Sequence, residues 1–125
     1  MRTSTTVSAL LGGALLACAG AVAAQPAKAA DGYLVGANGL TLYTFDRDAP
    51  NGGKSACSGP CATVWPPLMA TNSDKPSGAW SIVARDDGSR QWAYKGRPLH
   101  FYQQDTKAGD RQGDGIGGMW HAAKE

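Results

Sequence analysis

The sequence predicts an all-β fold: a small antiparallel sheet or barrel-like domain built from two related units, with one short helical turn near Cys57 to Trp65. Three observations lead there. No stretch after the first two dozen residues sustains a helical hydrophobic period, while short aromatic and β-branched runs alternate with Gly, Asp and Asn. Gly39-x-x-Leu42-Tyr43-x-Phe45-x-x-Asp48 aligns without a gap on Gly96-x-x-Leu99-His100-x-Tyr102-x-x-Asp105. Each copy then runs through a Gly-rich loop to a tryptophan, Trp65 in the first and Trp120 in the second. A lone unit of about three strands cannot bury both of its apolar faces. The equivalent strands Leu40 to Phe45 and Arg97 to Tyr102 are therefore expected to pack in one sheet or barrel, with Trp65 and Trp120 as anchors.

The elements follow in chain order. Arg2, a short polar stretch and an uncharged apolar run from Val7 to Ala24 read as an export signal over residues 1–24, cleaved after Val22-Ala23-Ala24. Leu15-Leu16-Ala17-Cys18 offers a second cut that would leave Cys18 as a lipidated N-terminus. The plain cut is expected, because the chain stays apolar after Cys18 through Ala24 where a lipoprotein would carry a polar tether. The expected address is periplasmic or secreted, with a membrane-anchored lipoprotein as the alternative and no transmembrane segment in the mature chain.

Residues 25–31 read as a flexible leader, and residues 32–125 as one β domain with units 32–79 and 80–125. About a hundred residues suit one modest core. The formal charge falls from +2 to +1 when Arg2 leaves, and the remaining charges are interspersed, so no nucleic-acid partner is expected. The partner class left is an envelope component or a small ligand.

Tyr33-Leu34-Val35 predicts a strand, Asn38-Gly39 a primed turn with both φ positive, and Leu40 to Phe45 the returning strand. Alternation sends Tyr43 and Phe45 to one face and Leu40 and Leu42 to the other, so this strand is expected to be covered on both sides. Asp46 to Lys54 is a loop. Ser58 is the expected cap of a helical turn that has Pro60 near its start and is stopped by Pro66-Pro67. A polar linker from Asn72 to Gly78 joins the units. A meander follows: Trp80 to Arg85, a turn at Asp86 to Ser89, Arg90 to Lys95, a turn at Lys95-Gly96, and Arg97 to Tyr102. Gln103 to Gly118 reads as a loop, and Met119-Trp120-His121 as a closing strand.

Tyr43-Thr44-Phe45-Asp46-Arg47-Asp48, Cys57 to Pro67 as C-x-x-x-C-x-x-x-W-P-P, and Y-K-G-R-P-L-H-F-Y-Q-Q-D from Tyr94 together resemble a family of bacterial secreted proteins and predicted lipoproteins. That family carries a Y-x-(F/W/Y)-x-x-D motif. The second copy, with His100, Tyr102 and Asp105, departs from the motif by placing His100 where the first has Tyr43. The resemblance implies an extracytoplasmic repeat domain and no established reaction.

Candidate chemistry is sparse. Cys57 and Cys61 form an even pair in an exported chain, which favours a disulfide. A redox dithiol is the weaker reading, because three residues separate the sulfurs where the thioredoxin motif has two. His100, Met119 and His121 are imidazole and thioether donors that together would suit copper. The aspartates between Asp105 and Gly118 invite calcium, but their intervals do not match an EF-hand. Asp48 and Asp105 could face each other across a pseudo-twofold axis as an acid/base pair, although strand-end caps explain them as well. No nucleophile elbow, zinc-protease motif or phosphate loop is present. The expected role is an envelope-associated binding or structural module without catalysis or cofactor; the alternative is a periplasmic copper or redox protein using Cys57 and Cys61 or His100, Met119 and His121.

Overall fold

Residues 25–125 are described by a computed structural model; the expected signal over residues 1–24, with Cys18, lies outside the described residues. The strands are β1 (Ala27–Ala30), β2 (Tyr33–Gly36), β3 (Tyr43–Phe45), β4 (Met69–Ala70), β5 (Trp80–Ala84), β6 (Arg90–Tyr94), β7 (Arg97–Pro98) and β8 (Trp120–Ala122), with one α-helical turn, α1 (Pro60–Val64), and a 3-10 turn at Ile116–Gly118 inside the stretch expected as a loop. They form small antiparallel sheets: β1 with β2, β3 with β8, and β4, β5 and β7 around β6. The predicted meander is β5-β6-β7. No closed barrel forms among the described residues, so the sheet alternative holds and the barrel alternative does not.

Three local expectations change. The segment 25–31, expected as a flexible leader, contains β1, because Asp31 and Gly32 both adopt positive φ (54° and 85°) and close a two-residue hairpin onto β2. Ala27 is small enough to tuck into the core at its end. At Asn38-Gly39, by contrast, only Gly39 has positive φ, at 82°. Gly39 donates to the Gly36 carbonyl and Gly36 donates to that of Leu40, so the chain turns first and Gly39 supplies a bulge after it. Finally, Gly59 and not Ser58 caps α1, without a side-chain bond, while Pro60 opens the helix as expected.

The two units are related by a pseudo-twofold axis that the hydrogen bonds make visible. Tyr43 and His100, equivalent in the repeat, pair with each other: Tyr43 N–H donates to the His100 carbonyl at 2.7 Å and His100 N–H to that of Tyr43 at 3.0 Å. Each unit sends its last segment across the axis. The stretch after Trp120 pairs with the first unit, as Tyr43 opposite Ala122 and Leu34 N–H on the Ala123 carbonyl. The stretch after Trp65 pairs with the second unit, as His100 opposite Pro67 and Trp92 N–H on the Leu68 carbonyl. The units therefore exchange their tails, and neither completes its own sheet.

This exchange divides the core in two. Leu42 and Leu99, both fully buried, join Leu34, Leu68, Trp80 and Trp92 on one side of the paired strands. Tyr43, Trp65, Trp120 and Cys57 fill the other. The strand through Leu42 and Tyr43 is thus covered on both faces, as its alternation predicts.

Candidate functional site

The second cluster holds most of the chain's candidate chemistry, and its arrangement follows the same axis. Trp65 and Trp120 stack face to face with ring centres 3.8 Å apart and planes 2° from parallel. Tyr102 stacks on Trp65 at 4.3 Å and its repeat equivalent Phe45 on Trp120 at 4.2 Å, giving a column of four rings in the order Tyr102, Trp65, Trp120, Phe45. Tyr43 meets the edge of this column at Trp65, and His100 meets it at Trp120. Small residues make the column possible: a Cβ on Gly113 would come within 2.6 Å of the Trp65 ring.

The motif aspartates reach across the axis. Tyr43 OH donates to Asp105 Oδ2 at 2.6 Å, so the tyrosine of the first unit is held by the aspartate of the second. His100 Nε2 lies 3.3 Å from Asp48 Oδ2, so the histidine of the second unit is held by the aspartate of the first. Each carboxylate is completed by its own loop. Gln112 N–H donates to Asp105, while Ala56 N–H and the Ser55 hydroxyl donate to Asp48. Nδ1 of His100 lies 3.2 Å from the Trp65 carbonyl, so both ring nitrogens have an acceptor oxygen of the first unit within reach. The two carboxylates thus face different rings, Asp105 the phenol of Tyr43 and Asp48 the imidazole of His100, each across the axis from its own unit.

Burial pushes the Tyr43 hydroxyl far above the ordinary tyrosine range, reinforced by its bond to Asp105. A phenol whose folded-state pKa exceeds its unfolded value stabilises the fold fully below the unfolded value and loses that contribution as pH rises through the folded one. Alkaline unfolding should therefore steepen once pH passes the ordinary tyrosine range, and Tyr43→Phe should flatten that slope. Urea midpoints measured from neutral pH upward check this; equal slopes in the two proteins would refute it.

Cys57 and Cys61 are disulfide-bonded, with Cα atoms 5.2 Å apart, and pack against the ring column. Their loop is tied to the meander by Arg85, which donates to the Cys57 carbonyl and to Gln91 Oε1, both at 2.7 Å. Gln91 is fully buried and donates to the Leu99 carbonyl at 2.8 Å. A glutamine placed between Arg90 and Trp92 in β6 is the one trace of this link in the sequence. Ser55 left no such trace.

The three residues considered for copper are held differently. His100 is fully buried, with both ring nitrogens near partners. The alternation of β8 turns Trp120 and Ala122 inward and His121 outward, where its Nε2 lies 2.9 Å from Asp46 Oδ2 at a half-exposed site. Met119 packs against the ring column. The described residues hold no group of three or more His, Cys, Asp and Glu side chains placed to bind a metal ion. In the loop considered for calcium, Asp110 accepts from Thr106 and Lys107 N–H, and Asp114 from Ala122 N–H.

No helix among the described residues is long and apolar enough to cross a membrane. Neither a curated protein nor a solved structure matches the chain. The family model Lipoprotein_15, described as a secreted repeat of unknown function, matches it twice, over residues 26–69 and 81–124. The first match takes in β1, and the pair falls on the two units that the pseudo-twofold axis relates. These two matches cover most of the chain, which therefore belongs to this family of secreted repeats.

Proposed function

We propose that this secreted repeat protein serves in the cell envelope as a binding or structural module, without catalysis and without a cofactor. It is periplasmic or released, unless lipidation at Cys18 anchors it to a membrane. One observation carries the reading: the buried side chains capable of chemistry are engaged by one another, two of the pairs across the units and the cysteines within the first. Tyr43 and Asp105, His100 and Asp48, and the Cys57–Cys61 pair all have their partners within the fold. A general base or a soft-metal site needs a group with a free lone pair facing a substrate or an ion, and these groups face protein. A braced scaffold with two differently lined surface concavities suits recognition.

The experiment that separates this reading from a copper or redox protein is thiol titration under denaturing conditions beside a copper titration of the purified protein. No free thiol and no retained copper are expected. Replacing both cysteines by alanine should cost about 2 kcal/mol, since the bridge closes a short loop. Two free thiols together with about one equivalent of copper held against a chelator would overturn the reading in favour of a soft-metal site.

A further inference from the structure

The axis that pairs Tyr43 with His100 also generates two equivalent surface concavities, and their linings differ in chemistry. One, of about 440 Å³, is lined by Asn38, Leu68, Met69 and Phe101. The other, of about 410 Å³, is lined at the equivalent positions by Lys95, Ala123, Lys124 and Thr44, with Arg97 and His121 beside them. The correspondence is fixed by the repeat. Asn38 and Lys95 precede the aligned glycines Gly39 and Gly96, and Thr44 and Phe101 follow the paired residues Tyr43 and His100. Leu68-Met69 and Ala123-Lys124 stand at the same distance beyond Trp65 and Trp120. Across the axis, a leucine, a methionine and a phenylalanine become an alanine, a lysine and a threonine.

The second concavity gathers three permanent cations and no carboxylate among its lining residues. Among the described residues none of Lys95, Arg97 and Lys124 forms a salt bridge. Lys95 lies over the Tyr94 ring at 5.2 Å and Lys124 over the Tyr33 ring at 5.6 Å, contacts that orient the ammonium groups without neutralising them. The nearby Asp46 is bonded to His121. The floor is buried and apolar at Leu99, Ala122 and Ala123, so a ligand seated there leaves part of its water behind. The equivalent concavity, by contrast, has an aspartate, Asp74, and no lysine or arginine in its lining.

We propose that the Lys95, Arg97 and Lys124 concavity binds a phosphate group. Like charges brought together around a recess repel unless an anion sits among them, and a recess of one sign concentrates the opposite ion. Three cations exceed what a single carboxylate would balance. A phosphate spreads its charge over several oxygens, and the planar guanidinium of Arg97 can engage two of them at once. The inference rests on the binding half of the proposed function and names the chemistry of the ligand.

The test uses the exported protein and two probes: inorganic pyrophosphate followed by calorimetry, and sedimentation with phosphatidylglycerol vesicles against phosphatidylcholine vesicles. Saturable pyrophosphate binding is expected at low salt, weakening as ionic strength rises because the cations are near the surface. The triple variant Lys95→Ala/Arg97→Ala/Lys124→Ala should weaken it by roughly tenfold or more, given three lost charges. Lys124→Met, which installs the residue of the equivalent concavity, should weaken it measurably. Lys54→Ala/Lys107→Ala, which removes cations elsewhere, should leave it unchanged. Circular dichroism and urea midpoints show that each variant is folded. Sedimentation with phosphatidylglycerol that the triple variant abolishes assigns the phosphate to a lipid headgroup; pyrophosphate binding without vesicle binding assigns it to a soluble phosphate, and both support the proposal. No saturable binding by the wild type, or equal weakening in the Lys54/Lys107 control, would overturn it. The thiol and copper measurements do not depend on this concavity, so its failure would leave the broader reading standing.

Discussion

Trp120→Ala should lower stability by about 3–5 kcal/mol, the range for removing a large aromatic side chain from a packed core. Trp120 has the Trp65 ring on one face, at 3.8 Å, the Phe45 ring on the other, at 4.2 Å, and the His100 edge against it at 5.1 Å. Truncation therefore leaves both stacking neighbours without a partner on one face, and each loses contact energy beyond the lost burial. The cavity cannot close readily, because Phe45 and Trp65 belong to segments fixed by strand pairing and by the disulfide loop. Urea denaturation checks this, and an unchanged midpoint would show that the column is not a stabilising element. Trp65→Ala, at the equivalent place, should behave alike.

The second large effect belongs to Asp48. Its carboxylate is 1% exposed and accepts from Ala56 N–H at 2.6 Å, from the Ser55 hydroxyl and, across the axis, faces His100 Nε2. Asp48→Ala strands several buried polar groups together, each at about 1–3 kcal/mol when unsatisfied, so a loss of about 3 kcal/mol or more is expected. Asp48→Asn retains one acceptor oxygen and should lose less. A double-mutant cycle between Asp48→Ala and His100→Ala reads the contact directly. Coupling indistinguishable from zero would mean that the aspartate caps its own loop and does not brace the units.

Particular residues show where the sequence was sufficient. The gapless match of Gly39 to Asp48 on Gly96 to Asp105 established two units, and period-two alternation established that Leu42 and Tyr43 face opposite sides. Cys57 and Cys61 could be paired because only the local chain between them had to bend. Turn chemistry was readable in kind but less so in detail: Lys95-Gly96 has both φ positive, as a primed turn requires, whereas Asn38-Gly39 does not. Gln25 to Asp31 has no apolar alternation, so β1 leaves no mark in the sequence, and its place in a ladder comes from the neighbour that β2 provides.

The repeat, the strands other than β1 and β4, and the cysteine pair are written in spacing and φ preference, and the sequence alone determined them. What only the tertiary structure decided is which unit completes which. Tyr43 and Asp105 are 62 residues apart and His100 and Asp48 are 52 apart, and no periodicity indicates that each aspartate serves the other unit's ring. That choice follows from the axis through the Tyr43–His100 pair, which carries each tail across to the opposite sheet. The two concavities arise in the same way. Lys124 stands far along the chain from Lys95 and Arg97, and the three line one recess only because the segment after Trp120 is paired beside β3.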